Sequence, residues 1–431
     1  MNSLTLLLLA FFGLILLRVN IGFALILSSV LVLWREDLPL GSVINQMYAG
    51  IDSFPLLAVP FFMFLGRLLN SGGITDRLLA VADATVGHVR GGLGHVNVFV
   101  SMVFASLSGS AAADTASIGA ILIPAMKRAG YDPAFTVAIT AASSTLGVII
   151  PPSIILIVYG AFGNVSIGAL FLGGVVPGVL IGLSMMGYGY WQALRHGYPA
   201  NPRQSLGAMA GALLRGAPPL VIPVLVLGGV VGGFVTPTEA AILAVAWALF
   251  LAFAVYREVG LAALPGLLAA AAVDFAVPLF TVAGAGIFGW LISFLGAAEL
   301  VVGFILGITG SSLGILLLLV GFLLLIGTVL NPISAVLIFL PIIQSLGEIA
   351  GAHPVQLGVV TTMTLAVGLV SPPYGICLLI AARIGEVSTP RAFLAILPIV
   401  ALVVAVVVAS LLVPDIVLGL PKLLMPRAVG G

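Results

Sequence analysis

Apolar residues run along this chain in long unbroken stretches, with polar residues as short punctuation between them. The stretches fall at 54–69, 96–107, 134–150, 170–190, 219–231 and 239–256, then at 275–295, 313–330, 333–346, 355–370 and 393–413. Crossing the hydrocarbon core of a bilayer takes about 20 apolar residues in a helix. A membrane barrel would instead show short segments alternating apolar and polar, whereas 401–413 is continuously apolar. Only a helix satisfies its backbone internally over such a run in lipid. The pattern therefore predicts an all-α polytopic membrane protein of roughly eleven to fourteen segments, some too short to cross fully. The first run, 4–17, resembles a signal peptide but lacks a positive n-region, and a second apolar run follows at 21–34. It is read as a retained segment, broken at Arg18-Val19-Asn20.

Composition sharpens the class. Of 431 residues 61% are apolar and 7% charged, against about 25% charged in soluble proteins. The lipid bilayer is thus the principal partner. A net charge of +1 without basic clusters gives no reason to expect nucleic acid. Cys377 is the only cysteine, which excludes disulfide frameworks and thiolate metal sites. His88, His95, His196 and His353 have no ligand spacing, and no nucleophile–base signature occurs, so the chain is not read as an enzyme. The longest polar connection is expected at 191–216, with Arg195, Arg203 and Arg215 and no acid, which marks it as cytoplasmic. By parity Arg257 is inside as well, and 232–238 is outside.

Comparing the chain with itself reveals a repeat. Asp114 to Pro124 has the spacing of Asn331 to Pro341, and Asp132-Pro133 is matched by His353-Pro354. Gly147-Val148-Ile149-Ile150-Pro151-Pro152 is matched by Gly368-Leu369-Val370-Ser371-Pro372-Pro373. Lys127 and Arg128 occupy the loop of the first copy, while the second has Glu348 and no base. The positive-inside rule then puts the loops on opposite faces, so the copies are read as inverted. Inverted repeats belong to secondary transporters that alternate access around a midplane site.

Two features carry the candidate chemistry. Proline lacks an N–H and displaces the carbonyl four residues earlier. Pro151 and Pro152 should free the carbonyls of Gly147 and Val148, and Pro372 and Pro373 those of Gly368 and Leu369. In broken membrane helices such carbonyls coordinate Na⁺ while half-helix N-termini face an anionic substrate. The alternative is a kink satisfied by nearby hydroxyls, and Ser143-Ser144-Thr145 and Thr361, Thr362 and Thr364 stand close by. The second feature is Asp114 in Ser108-Gly-Ser-Ala-Ala-Ala-Asp-Thr115, an intramembrane carboxylate. It serves either a functional site or a helix cap, and the two roles are compatible. Its repeat mate Asn331 lacks the charge. Glu239 is read as a helix-start residue, Asp52, Asp274 and Glu299 as interfacial, and Arg383 as an inside anchor.

These residues resemble the large membrane subunit of TRAP (tripartite ATP-independent periplasmic) transporters, the DctM-like family. The likeness is carried by Gly50-Ile-Asp-Ser-Phe-Pro-Leu-Leu-Ala-Val-Pro-Phe-Phe, Gly91-Gly-Leu-Gly-His-Val-Asn-Val, the Ser108–Thr115 segment, Ile123-Pro-Ala-Met-Lys-Arg-Ala-Gly-Tyr-Asp, Ile149-Ile-Pro-Pro-Ser-Ile and Thr236-Pro-Thr-Glu-Ala-Ala. It covers nearly the whole chain. It implies a bacterial inner-membrane, multi-pass protein that imports a small organic anion with Na⁺ as the coupling ion. It also implies a small four-helix membrane subunit and a periplasmic substrate-binding protein as partners. A self-sufficient Na⁺/carboxylate symporter of the same broad superfamily is the alternative, and a non-transporting scaffold the rival of another class. The implied architecture is an elevator-type transport domain with two re-entrant hairpins and broken helices, held in a scaffold. Its bounds are scaffold 1–92, transport repeat one 93–168, scaffold and connecting helices 169–308, transport repeat two 309–386, and a C-terminal scaffold helix with tail 387–431. On this footing the candidate substrate residues are Ser108, Ser110, Asp114, Asn331 and Ser371. The candidate Na⁺ residues are Ser108, Ser143, Ser144, Gly147 and Pro151 in repeat one, and Gly327, Asn331, Thr364, Gly368 and Pro372 in repeat two. The second half departs from the family pattern, which often has an acid at Asn331, an asparagine at Thr364 and a threonine at Ser371.

Overall fold

The computed structural model describes residues 2–71, 73–373 and 375–430, which contain helices and no strand. Among these residues seven helices are long and apolar enough to cross a membrane, and nine shorter apolar helices accompany them. The chain opens with α1 (Ser3–Leu16) and α2 (Ile21–Arg35). The turn between them holds Arg18 in the left-handed region, as the break expected there requires. Asn20 starts α2 by accepting the Gly22 N–H, and the Ser3 hydroxyl meets the Glu36 carboxylate at the hairpin's open end. Next come α3 (Gly41–Ile51), α4 (Ala58–Ser71) and α5 (Ile74–Val86).

The first repeat comprises α6 (Gly92–Ser108), α7 (Ala111–Arg128), α8 (Pro133–Ser144) and α9 (Ile154–Gly163), followed by the long α10 (Ile167–His196). Then α11 (Leu206–Val231), α12 (Pro237–Phe250), α13 (Leu264–Phe294) and α14 (Ala297–Ile308) lead to the second copy. That copy is α15 (Ser312–Gly327), α16 (Pro332–Ile349), α17 (Pro354–Gly368) and α18 (Ile376–Gly385), followed by α19 (Thr389–Leu412) and a final α20 (Asp415–Leu424). The start signals are local. Asp132 accepts the Phe135 N–H and His353 Nδ1 the Val355 N–H, each before a proline at the first helical position.

The repeat reaches farther than the prolines reveal. Both α5 and α14 follow a left-handed glycine, Gly73 and Gly296, and carry an acid in the first turn. Both α9 and α18 end on a left-handed residue, Asn164 and Glu386, and two residues on Ser166 and Ser388 start the next helix. The copies also interlock. The second half of the first broken helix, α9, packs on α16 and α17, while α18 packs on α7 and α8.

Lys127 Nζ donates to the Gly385 carbonyl at 2.8 Å, Arg391 pairs with Asp132 at 3.0 Å, and the Tyr131 hydroxyl donates to the Pro199 carbonyl. The α7–α8 loop thus lies at one end, with the turns after α10 and α18. Gln344 donates to the Gly163 carbonyl and Gln356 to that of Ser410, which puts the α16–α17 loop beside the far end of α19. The 24 residues of α19 cover about 36 Å between those ends, so the copies are inverted, as the charges imply. An impermeant thiol reagent applied to intact cells is expected to label Glu348→Cys and to leave Arg128→Cys unlabelled. Both positions are exposed and Cys377 is buried, so the reverse pattern would sink this topology.

The long polar connection at 191–216 is corrected. Helix α10 continues to His196 and α11 begins at Leu206, leaving only 197–205 between them. Thirty residues of α10 extend about 45 Å, well beyond the roughly 30 Å hydrocarbon core. Polar residues there mark where a helix leaves the bilayer, not where it ends. Helix α13 likewise starts at Leu264, ahead of the apolar run at 275. The short connection is pinned, with Asn201 donating to the Gly87 carbonyl and, through its amide, to Asp83.

Candidate functional site

The first hairpin breaks at Gly109, whose φ of 63° is left-handed, and a Cβ there would stand 2.9 Å from the Pro152 carbonyl oxygen. Glycine alone meets both conditions. Ser110 caps α7 by accepting the Ala113 N–H. Asp114 therefore does not cap the helix; it sits in the first turn with no solvent exposure. The Ser108 hydroxyl donates to its Oδ1 at 2.5 Å, and its Oδ2 has no hydrogen-bond partner. That oxygen points at the break in α8: a Cβ on Gly147 would stand 2.5 Å from it. Ser108, Ser110, Asp114 and Gly147 are thus one cluster. A buried carboxylate oxygen without a donor is costly.

The second repeat is built alike. Asn331 caps α16 by accepting the Ile333 N–H at 2.9 Å. A Cβ on Gly368 would stand 2.0 Å from the Gly327 carbonyl oxygen. Gly327 precedes Asn331 by four residues, as Ser110 precedes Asp114, and Gly147 faces the backbone of Ser110 and Ala111 within 3.3 Å. Each Gly-x-x-x-Pro-Pro element therefore leans, backbone to backbone, on the opposite arm's break.

The expectation of unpaired carbonyls fails at three of four positions. Val148 accepts the Ser153 hydroxyl at 2.5 Å, Gly368 the Ser371 N–H at 3.2 Å, and Leu369 the Cys377 N–H at 2.9 Å. Ser153 and Cys377, beyond the proline pairs, turn back to bond Val148 and Leu369, while Gly368 is met by the Ser371 N–H three residues on, before the prolines. The other candidates support the cluster from outside it. Ser143 bonds Ser101 at 3.0 Å and the Asn97 amide oxygen at 3.2 Å, joining α6 to α8 in a buried polar network. Ser144 and Thr364 donate to carbonyls one turn back in their own helices, those of Thr140 and Val360, and Ser371, just beyond α17, donates to that of Val367. Pro151 and Pro372 shape the breaks, and the peptide bonds that follow them are both cis.

Between the two breaks lies a cavity of about 150 Å³. Four helices present their N-terminal residues to it: α7 through Ala111 and Ala112, α9 through Ile154 and Ile155, α16 through Pro332 and Ile333, and α18 through Ile376. The positive end of the helix dipole favours an anion at each, although at α16 Pro332 has no N–H and that of Ile333 is taken by Asn331. Among the candidate substrate residues, Ser110 and Asn331 line the cavity, while Ser108, Asp114 and Ser371 lie outside its lining. Sequence reasoning named Val148 and Leu369 only for their carbonyls and not as cavity wall, and it missed Val59, Met63 and Pro278 on α4 and α13. Spacing four residues apart on α4 is the one signal that joins Val59 to Met63. Glu239 forms a reciprocal capping box with Thr236, and Asp274 pairs with Arg67.

Comparison with known proteins agrees with this architecture. The family model described as the DctM component of the tripartite ATP-independent periplasmic transporter matches residues 8–416. The sialic acid TRAP transporter large permease SiaM of Vibrio cholerae is 34% identical over 96% of this chain and 97% of its own. The C4-dicarboxylate large permease DctM of Pseudomonas aeruginosa is 34% identical, covering 88% and 89%. The isethionate permease DctMQ of Oleidesulfovibrio alaskensis is 36% identical over 88% of this chain but only 60% of its own. Among solved structures, the efflux pump MtrF of Neisseria gonorrhoeae aligns with a TM-score of 0.57 at 14% identity, covering 86% of this chain and 82% of that one. That last likeness concerns the fold alone.

Proposed function

This chain belongs to the DctM component family of tripartite ATP-independent periplasmic transporters, a family of inner-membrane permeases, and from that premise we propose that it imports a small organic anion in symport with Na⁺. The observation that carries the reading is the convergence of four helix N-termini on one cavity, an arrangement suited to a carboxylate or sulfonate. Beside it, the unpartnered Oδ2 of Asp114 faces Gly147 and is the natural place for the coupling cation. Ser108, Ser110 and Gly147 complete that site, and Gly327, Asn331 and Gly368 form its counterpart in the second repeat, with Thr364 and Ser371 behind it. Na⁺ there would neutralise the buried carboxylate and offset the charge of the incoming anion. Relatives named for sialic acid, isethionate and C4-dicarboxylates support an organic acid as cargo.

In this reading the two interlocked repeats, 93–168 and 309–386, move together as the transport body against the remaining helices. α6 with α7, and α15 with α16, act as re-entrant hairpins. The substrate arrives on a periplasmic binding protein, and a small four-helix membrane subunit completes the permease. The relative named DctMQ, of which this chain spans about 60%, is in keeping with such a second membrane part fused in one polypeptide. Reconstituted liposomes decide among these points. Uptake of a labelled organic acid is expected only with an inward Na⁺ gradient, the small subunit and the loaded binding protein all present. Robust Na⁺-driven uptake of free substrate by this chain alone would establish a self-sufficient symporter instead.

A further inference from the structure

The second repeat reaches the Asp114 cluster of the first through one side chain. Helix α18 lies parallel to α7: Gly119 stands against Ile384, Ile123 against Gly385, and Lys127 donates to the Gly385 carbonyl. Both helices start at the substrate cavity, where Ala111 and Ala112 of one and Ile376 of the other form its wall. At the head of this seam stands Cys377, the only cysteine of the chain.

Cys377, Asp114 and Thr115 all have no solvent exposure. The Cys377 thiol is within hydrogen-bonding reach of the Thr115 hydroxyl and lies beside the Asp114 carboxylate. Thr115 gives its own hydrogen to the Ala111 carbonyl at 2.8 Å, so its oxygen is left to accept the S–H, a weak donor. On its other side Cys377 donates its N–H to the Leu369 carbonyl at 2.9 Å, and Leu369 is cavity wall. One residue therefore ties the turn of α7 that carries Asp114 to the break of the second repeat.

That place bears on the carboxylate. Asp114 Oδ2 has no donor, and an unneutralised charge at the seam is relieved when α18 parts from α7 and water enters. A cation on Oδ2 removes that pull, and it is held more firmly in a closed, dry seam than in an open one. A ligand that prefers one of two states shifts the balance toward that state. We propose that Cys377 is a positioning residue through which a cation at Asp114 closes α18 onto α7 and so fixes the cavity wall at Ile376 and Leu369. The proposal rests on the cation reading of Asp114 above, and deepens it by naming how occupancy in one repeat reaches the other.

The test uses the full chain in detergent, with N-ethylmaleimide, a small neutral thiol reagent, as the probe of Cys377 itself. Reaction requires the seam to open, so its rate follows the open fraction. At about ten times the Na⁺ concentration for half-maximal thermal stabilisation, labelling is expected to be about tenfold slower than in choline at equal ionic strength. Thr115→Val keeps the shape and loses the acceptor, and should raise the rate in Na⁺ about threefold or more. Cys377→Ser keeps a donor, whereas Cys377→Ala does not. The serine variant is expected to keep the parent's Na⁺ requirement for thermal stabilisation and the alanine variant to need about threefold more, with similar unfolding midpoints in choline. A lower midpoint in choline with an unchanged Na⁺ requirement would mark Cys377 as a packing residue and overturn its role. Equal labelling rates in Na⁺ and choline, or no reaction in either, overturn the coupling, while a midpoint that still rises with Na⁺ leaves the cation reading standing. Na⁺ that moves neither rate nor midpoint overturns the cation reading and this proposal with it. Protection that survives Asp114→Asn places the cation elsewhere and overturns the route through Asp114.

Discussion

Asp114→Ala is expected to abolish Na⁺-dependent uptake while the protein still inserts and purifies as a folded chain. The side chain touches no solvent, one oxygen is held by Ser108, and the other faces the Gly147 break without a partner. If a cation completes that oxygen, removing the carboxylate forfeits a buried charge pair, roughly 3 kcal/mol, or about 100-fold in cation affinity. Folding is spared because Ser110, not Asp114, caps α7. Asn331→Ala is expected to be milder, since Asn331 contributes a helix cap worth about 1 kcal/mol and no charge. Uptake across a range of Na⁺ concentrations, beside a size-exclusion profile, checks both variants. An Asp114→Ala protein that aggregates, or one that transports normally, defeats the assignment.

Gly368→Ala is expected to be the more damaging of the two matched glycine variants. Its new methyl would stand 2.0 Å from the Gly327 carbonyl oxygen, well inside contact distance. The obstacle is backbone, so α15 and α17 must separate, at a cost of about 3 kcal/mol or more. Yield of folded protein and the midpoint of thermal unfolding in detergent should both fall. At Gly147 the added methyl meets the Asp114 Oδ2, a side-chain atom, at 2.5 Å and the backbone of Ala111 and Ser110 only at 3.2 and 3.3 Å, where a small shift relieves the contact. Gly147→Ala should therefore fold, yet need about tenfold more Na⁺ for half-maximal uptake, an effect of about 1.4 kcal/mol at the displaced carboxylate. Equal stability of Gly368→Ala and the parent chain would remove the backbone contact from the account. Unaltered Na⁺ dependence in Gly147→Ala would do the same for the cation site.

Legibility differed between the two halves of the site. Gly147, Gly368 and the proline pairs stood out because proline and glycine act through their own backbones, so spacing alone reports them. Asp114 stood out because a lone carboxylate in an apolar run needs a reason. The cavity wall did not stand out. Val148, Leu369, Ile154 and Ile376 look like any membrane aliphatics, and what makes them wall residues is the meeting of four helix ends. The fate of the released carbonyls was also hidden, because two of their donors, Ser153 and Cys377, arrive only once the chain has turned.

The sequence by itself determined the class, the helical state, the inverted pairing of two copies and the places where their helices break. Each of these follows from quantities that are additive or local along a chain: hydrophobic length, charge in loops, and the missing N–H of proline. Tertiary structure alone decided that α9 of one copy packs in the other and α18 in the first. It also decided that Asp114 turns an unpartnered oxygen toward Gly147. Those outcomes depend on contacts between separate helices, from some thirty to well over two hundred residues apart. Between apolar helices in lipid such contacts are chosen by close packing of small residues and by buried hydrogen bonds, not by hydrophobic pattern.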